Sequence, residues 1–334
     1  MTEKHYGGSK SFGFKERPIT SQEKQPNNLK TKTASKEINN LKTKNSDLIL
    51  AGKITSQVRE FARSFIKKDM LLLEIAEKIE NKIIELGAKP AFPVNLSINE
   101  IAAHATPLHN STDKAFGLLK VDLGAHINGS IADTAFSIDL ENSKENKLLI
   151  ESAENSLKKA VEKFNIDSSL GEIGKIIEEN IKDSGFQPIV NLSGHSIELY
   201  NLHSGINIPN YNSFQQKKIT PGLYAIEPFC TTGFGQVKDS KPGGIYSIQE
   251  EKNARDPFAR QVLKFILEEY KTLPFASRWI YKKFGLKGLL SLKQLEQYKI
   301  LHQYAQLIEI SNKPIAQAEH TILLTEEEKI ITTL

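Results

Sequence analysis

One cysteine, two methionines and one tryptophan in 334 residues set the first limits on this chain. A lone Cys230 excludes an internal disulfide and suits a reducing cytosol. No segment approaches the ~20 apolar residues of a membrane span. The opening Met-Thr-Glu-Lys-His-Tyr lacks the apolar run of a signal peptide. No coiled-coil pattern stands out, so a monomer without membrane attachment, in the cytoplasm, is the expectation. What is present is ordinary for a soluble protein, 39% apolar and 25% charged, and long enough to bury a large core.

The charge is unevenly placed. Residues 1–46 hold nine lysines and one arginine against four glutamates, a net of +6, which leaves −2 for residues 47–334. Rich in Ser, Thr, Asn, Gln, Gly and Lys, this tail has too few large apolar residues to offset its ordering entropy, and it is expected to be disordered. It reads first as a solubilising linker, with salt-sensitive contact to ribosomal RNA phosphates as the sharper alternative.

From Ser46 the apolar residues fall at helical spacings: Ile49, Val58, Phe61, Ala62, Phe65 and Ile66, then the same period over residues 71–86 until Gly87-Ala88-Lys89-Pro90 stops it. Residues 92–98 read as extended, and residues 144–164 and 171–184 as two amphipathic helices. Strands are expected within 191–197 and 221–229. Helix is expected over 255–310, broken at Pro274 and around residues 285–288, with a last strand over 317–324. The order suggests an α+β fold around an antiparallel sheet.

The most informative stretch runs from Lys120 to Asp133. Asn128-Gly129 is a strong hairpin signal. If Ile127 pairs with Ser130 across it, Asp122 lies opposite Ala135 and shares a face with Asp133. The two aspartates are then diagonal neighbours, roughly 7–8 Å apart at the backbone. Gly124 and Ala135 leave that face roomy. One aspartate in a strand is usually a solvated residue, but two on one face among Val121, Ile127, Ile131 and Phe136 are less easily explained so. With no Lys or Arg expected on their face, they need a cation, and the pair reads as half of a metal site.

Three more polar residues interrupt apolar strands: His195 after Gly194, Glu227 in Tyr-Ala-Ile-Glu-Pro-Phe, and Glu319 in Ala-Glu-His-Thr-Ile-Leu-Leu. Singly, each is more often a surface or hydrogen-bonded core group. Together they make four carboxylates and one imidazole. Four clustered anions raise one another's pKa unless divalent metal balances them. That ligand count matches a dinuclear hydrolytic centre.

The blocks Phe92…His104-Ala105-Thr106-Pro107, Val121-Asp122-Leu123-Gly124…Asp133, Asn191-Leu192-Ser193-Gly194-His195, Leu202-His203-Ser204-Gly205, Ala225-Ile226-Glu227 and Glu319-His320-Thr321 resemble the methionine aminopeptidases. The likeness is greatest to the type 2 class of archaea and eukaryotes, and it runs from about residue 48 to the C-terminus. It implies the pita-bread fold, an antiparallel sheet with helices outside and metals inside. The catalytic domain would span 47–334, with a helical insertion at about 250–312.

The resemblance also implies roles. Asp122, Asp133, His195, Glu227 and Glu319 would bind two divalent ions (Mn, Fe, Co or Zn), with Asp133 and Glu319 shared between them. Glu227 would also handle a proton. His203 would steady the scissile carbonyl, His104 would lie near the substrate amide, and Phe92 would wall the methionine pocket. The substrates would be nascent polypeptide N-termini with a small second residue. His126 and Cys230 match no ligand and read as buried, hydrogen-bonded and structural. His109 and His320 receive no role. A proline-specific dipeptidase or aminopeptidase of the same fold is the enzymatic alternative, although such enzymes usually carry a folded domain before the catalytic one. A non-catalytic relative binding ribosomes or RNA is the other, although that fate is normally marked by lost ligands.

Overall fold

The computed structural model describes the backbone of residues 29–250 and 252–334, and side chains from residue 46 onward, residue 251 excepted. Residues Thr43–Leu334 pack as one unit, to which everything below belongs except the first residues of the leading helix.

Two helices lead, α1 (Leu29–Phe65) and α2 (Leu72–Glu85). α1 begins well before Ser46, inside the stretch expected to be disordered. Once its C-terminal half is anchored, each further residue adds a hydrogen bond without a new nucleation cost. Residues 1–28, the rest of that expectation, lie outside the described residues. Short strands β1 (Lys89–Pro90), β2 (Asn95–Ile98) and β3 (Ile101–Ala103) precede the long hairpin β4 (Leu118–Ile127) and β5 (Ser130–Asp139). Helices α3 (Lys144–Lys163) and α4 (Leu170–Asp183) follow. Ser143 caps the first, and a reciprocal Ser169–Glu172 capping box closes the second.

The next block is strand: β6 (Gln187–Pro188), β7 (Ser193–Ile197), β8 (Asn207–Pro209), β9 (Gly222–Ile226), β10 (Phe229–Thr231) and β11 (Val237–Ile248). Then come α5 (Pro257–Glu269), β12 (Phe275–Ala276), α6 (Ser277–Gln297), β13 (Leu301–Glu309), β14 (Ile315–Gln317), β15 (His320–Leu324) and β16 (Lys329–Ile331). Two expectations are corrected here. Residues 301–309, read as helix, are strand β13. The terminal strand expected over 317–324 is two strands parted at Ala318-Glu319. The break near residue 285 is real: Gly285, at φ 61, interrupts α6.

All the strand pairs are antiparallel. They join in the orders β1-β4-β2 with β5 on β4, β14-β10-β6, β12-β11-β13-β3, and β16-β15-β9-β7-β8. Helices cover the outside. α1 and α2 bury Ile54, Val58, Ile75 and Ile79 against Leu96, Val121 and Leu123 of the hairpin sheet. α3 and α4 bury Leu149, Leu157, Ile173 and Ile177 against Tyr224, Ile226 and Ile322. A separate cluster joins α5 and α6 to β11 and β13. Among the described residues no helix is long and apolar enough to cross a membrane.

Candidate metal centre

The hairpin register pairs Ile127 with Ser130, Asp122 with Ala135 and Gly124 with Asp133. Asn128 and Gly129 turn at φ 50 and 88, the positive values of a type I′ hairpin. Asp122 and Asp133 therefore share a face, as the pattern requires. That face is not free of basic side chains, however. Lys120, two residues before Asp122, lies on it, buried, with its ammonium donating to the carbonyls of Asn99 and Ile315 at 2.9 Å each. Burial pushes its pKa down to about 7. Its bonds go to carbonyl oxygens rather than to the aspartates. Nor is the face roomy at Gly124: a Cβ there would stand 2.5 Å from Phe92 Cε1, so the missing side chain is where the Phe92 ring sits.

Hydroxyl groups stitch β5 to the broken terminal strand. Thr321 Oγ1 accepts from the Asp133 amide and donates to the Asp133 carbonyl, both at 2.7 Å. Thr134 Oγ1 donates to the Glu319 carbonyl at 2.8 Å, and the Glu319 amide donates to Ala135 O at 3.0 Å. The main chains of Asp133 and Glu319 are thus fixed to one another across the seam. His195 arrives on β7. A Cβ at Gly194 would meet Ala225 O at 2.4 Å, so glycine is what lets β7 and β9 approach so closely there. His195 Nε2 lies 3.8 Å from Asp133 Oδ2 and 3.6 Å from Glu227 Oε1.

Donor atoms of Asp133, His195 and Glu319 all fall within 4.8 Å of one another. Asp122 Oδ1, Asp133 Oδ1 and Glu319 Oε1 are buried without a hydrogen-bond partner. Glu227 Oε2 accepts from Gln317 Nε2 at 3.2 Å. Burial raises Asp122 to about 7. Burial, then repulsion from the other carboxylates, holds Asp133, Glu227 and Glu319 well above the usual carboxylate range. Burial likewise keeps His195 neutral, its pKa lowered to about 3. Orphaned buried carboxylate oxygens are expensive, and a divalent cation satisfies them all at once. Oxygen donors with one neutral imidazole suit such an ion.

A cavity of ≈ 240 Å³ opens on this cluster, and all eight residues singled out from the sequence border it. Phe92 forms a buried wall. The His203 ring lies 4.3 Å from that of His195, and burial lowers its pKa to about 4. His104 holds a left-handed φ of 60, a conformation costing roughly 1–3 kcal/mol in a non-glycine residue, and its ring sits 5.1 Å from that of Tyr304. The cavity also takes in Asn95 and Tyr304, which sequence reasoning missed. Tyr304 was hidden by the helical reading of its strand. Gln317, two residues before Glu319 and bonded to Glu227, was legible only as part of a strand.

Four other polar residues fall elsewhere. His126 is buried at the far end of the hairpin, where Nδ1 accepts from the Gly129 amide at 3.2 Å and the ring meets Tyr200. Cys230 is a buried thiol donating to Leu149 O at 3.2 Å, its pKa pushed up to about 12 by burial. His109 stacks on Tyr281. His320 shares a hydrogen bond with Thr333 Oγ1.

Comparison with known proteins agrees with this geometry. The model of metallopeptidase family M24 matches residues 47–326. The methionine aminopeptidase of Methanocaldococcus jannaschii is 47% identical over 289 residues, spanning 86% of this chain and 97% of that protein. The chain belongs to the methionine aminopeptidases of metallopeptidase family M24. Solved structures share its fold. A methionine aminopeptidase from Thermotoga maritima, 21% identical, superposes with a TM-score of 0.62 over 86% of this chain and 96% of its own. A thermophilic Arx1, 15% identical, gives 0.72 over 86% and 90%. This is the pita-bread fold, and membership of a metallopeptidase family together with the buried Asp133, His195 and Glu319 cluster points to divalent metal binding.

Proposed function

We propose that the chain removes the initiator methionine from nascent polypeptides whose second residue is small. The observation that carries this is the convergence of four carboxylates, Asp133 and Glu319 buried and Asp122 and Glu227 partly so, with His195 on one cavity, in a chain of this family. Asp122, Asp133, His195, Glu227 and Glu319 would hold two divalent ions. When bound, the ions supply Lewis acidity toward water and the scissile carbonyl.

The chain's own groups do the rest. Glu227, with one oxygen held by Gln317 and the other facing His195, would take a proton from the attacking water and return it to the leaving amine. His203, neutral at physiological pH, can donate an N–H to the carbonyl oxygen as charge develops there. His104 faces the same space and can orient the substrate amide. Phe92 supplies the apolar wall for an unbranched side chain, and a cavity of ≈ 240 Å³ leaves little space for anything bulky beyond it.

The test is methionine release from Met-Ala-Ser by metal-stripped protein, before and after adding Mn²⁺ or Co²⁺. Release that depends on metal is expected. Cleavage of Ala-Pro in preference to Met-Ala-Ser would instead favour the proline-specific reading.

A further inference from the structure

Outside the metal centre a charged pair is buried between α2 and α6. Arg278 and Glu80 form an ion pair with side-chain exposures of 0% and 7%. The Arg278 guanidinium donates through Nη2 to Glu80 Oε1, and through Nη1 to Thr106 Oγ1 at 2.6 Å and Pro107 O at 3.2 Å. Glu80 Oε2 accepts from Trp279 Nε1 at 2.8 Å, and Oε1 accepts from the Val94 amide at 3.2 Å. Thr106 Oγ1 closes the circuit by donating to Val94 O at 2.7 Å.

Each arm ends on a segment that lines the substrate cavity. Val94 stands between Phe92 and Asn95. Thr106 and Pro107 follow His104 by two and three residues. Arg278 and Trp279 follow Pro274, which also borders the cavity. The Leu96 amide, donating to Ala105 O at 2.7 Å, ties the first two segments together. A buried ion pair contributes little net stability compared with apolar residues of the same volume. What it supplies is direction: a planar guanidinium fork bonds at fixed angles that lysine or an apolar side chain cannot reproduce. His104, in its left-handed conformation, needs such an external hold.

We infer that the Arg278–Glu80 pair, acting through Thr106 and Val94, is a positioning device that sets the separation of Phe92 and Pro274 from His104 and so determines which first residue the cavity accepts. This rests on the proposed function, deepening it to the choice of side chain. None of the four network side chains needs to touch the substrate.

The experiment compares wild type with Arg278→Lys, Glu80→Gln and Thr106→Val, all loaded with Mn²⁺. Selection is read twice: as the methionine-over-leucine preference in release from Xaa-Ala-Ser, and as calorimetric binding of free L-methionine against L-leucine, which needs no turnover. Metal content and Tm are followed in parallel. A displacement of about 1 Å, caused far from the reacting atoms, is enough to matter at such a site. We expect KM for Met-Ala-Ser to rise ~10-fold in the charge variants, with kcat changed less, and the methionine preference to fall by a similar factor at unchanged metal content. Thr106→Val should shift both in the same direction, more weakly. Folded variants with lower Tm but KM and preference within twofold of wild type would overturn the inference, leaving the pair a stability feature. If Arg278→Lys fails to fold, Thr106→Val, which removes one hydroxyl and no charge, decides by the same criteria. A wild type that binds methionine selectively but releases none would count against the proposed reaction, while selection by the variants would still be read from binding.

Discussion

At the scale of single residues, Gly124 shows how an absent side chain can build a pocket. Its Cβ would overlap the Phe92 ring, and that ring is the wall proposed to receive methionine. Gly124→Ala should push the ring toward the cavity, at an overpacking cost of about 1–3 kcal/mol. The expected result is a several-fold higher KM for Met-Ala-Ser with metal content unchanged. An unchanged KM would mean that Phe92 does not bound the pocket. His203 gives the complementary case. It lies against His195 without belonging to the cluster of close donor atoms. His203→Ala should therefore spare metal binding and lower kcat by ~100-fold, the usual loss for one oxyanion donor. Full activity in that variant would remove His203 from the mechanism.

Among the elements, the β4–β5 hairpin was legible residue by residue, because Asn128-Gly129 fixes the turn and the turn fixes the register. Gly129→Ala tests that logic. The residue sits at φ 88, and its Cβ would meet the Tyr200 ring at 2.3 Å. Stability should fall by roughly 2–4 kcal/mol, from left-handed strain plus overpacking. Metal binding should persist, since β2 and the Thr321 hydroxyl hold Asp122 and Asp133 independently of the turn. Loss of metal from the folded variant would show that the turn alone sets the register. Other elements were hidden. In β13, Leu301, Tyr304, Ala305 and Ile308 stand at i, i+3, i+4 and i+7, a helical spacing, although this half-exposed strand pairs with β11 and β3. β11 contains Lys241-Pro242-Gly243-Gly244, which reads as a chain break. Yet the register shifts at Pro242, and the strand passes so near His104 that a Cβ at Gly243 would lie 1.9 Å from its carbonyl oxygen. The eight residues that border one cavity were readable because they interrupt apolar strands or sit in specific motifs. Arg278 and Glu80 were not, because each falls within an ordinary amphipathic helix.

For the whole molecule, folding gathers like charges from residues 122, 133, 227 and 319 that lie apart in the unfolded chain. Their unfolded pKa values are near 4, whereas the folded values are about 7 for Asp122 and well raised for Asp133, Glu227 and Glu319. A raised folded pKa contributes stability at low pH that is lost as pH climbs toward that value, at up to about 1.4 kcal/mol per pH unit for each group. His195 and His203, lowered to about 3 and about 4, act oppositely: their contribution is complete above pH ~6.5 and is lost on acidification. Below pH 6.5 the two tendencies oppose each other. Above it the histidines drop out, and Lys120, lowered to about 7, opposes as one group the three carboxylates Asp133, Glu227 and Glu319, which burial and mutual repulsion raise well above the usual carboxylate range. The metal-stripped protein should therefore lose Tm as pH rises from 6.5 toward 8. Mn²⁺ should abolish the loss, because a bound cation keeps the carboxylates ionised in the folded state and reverses the sign of their contribution. Thermal melts across that window, with and without metal, check both halves. A metal-stripped Tm that holds level or rises would mean that the folded carboxylates are already ionised without metal, and that the repulsion at the centre of this fold is relieved by some other means.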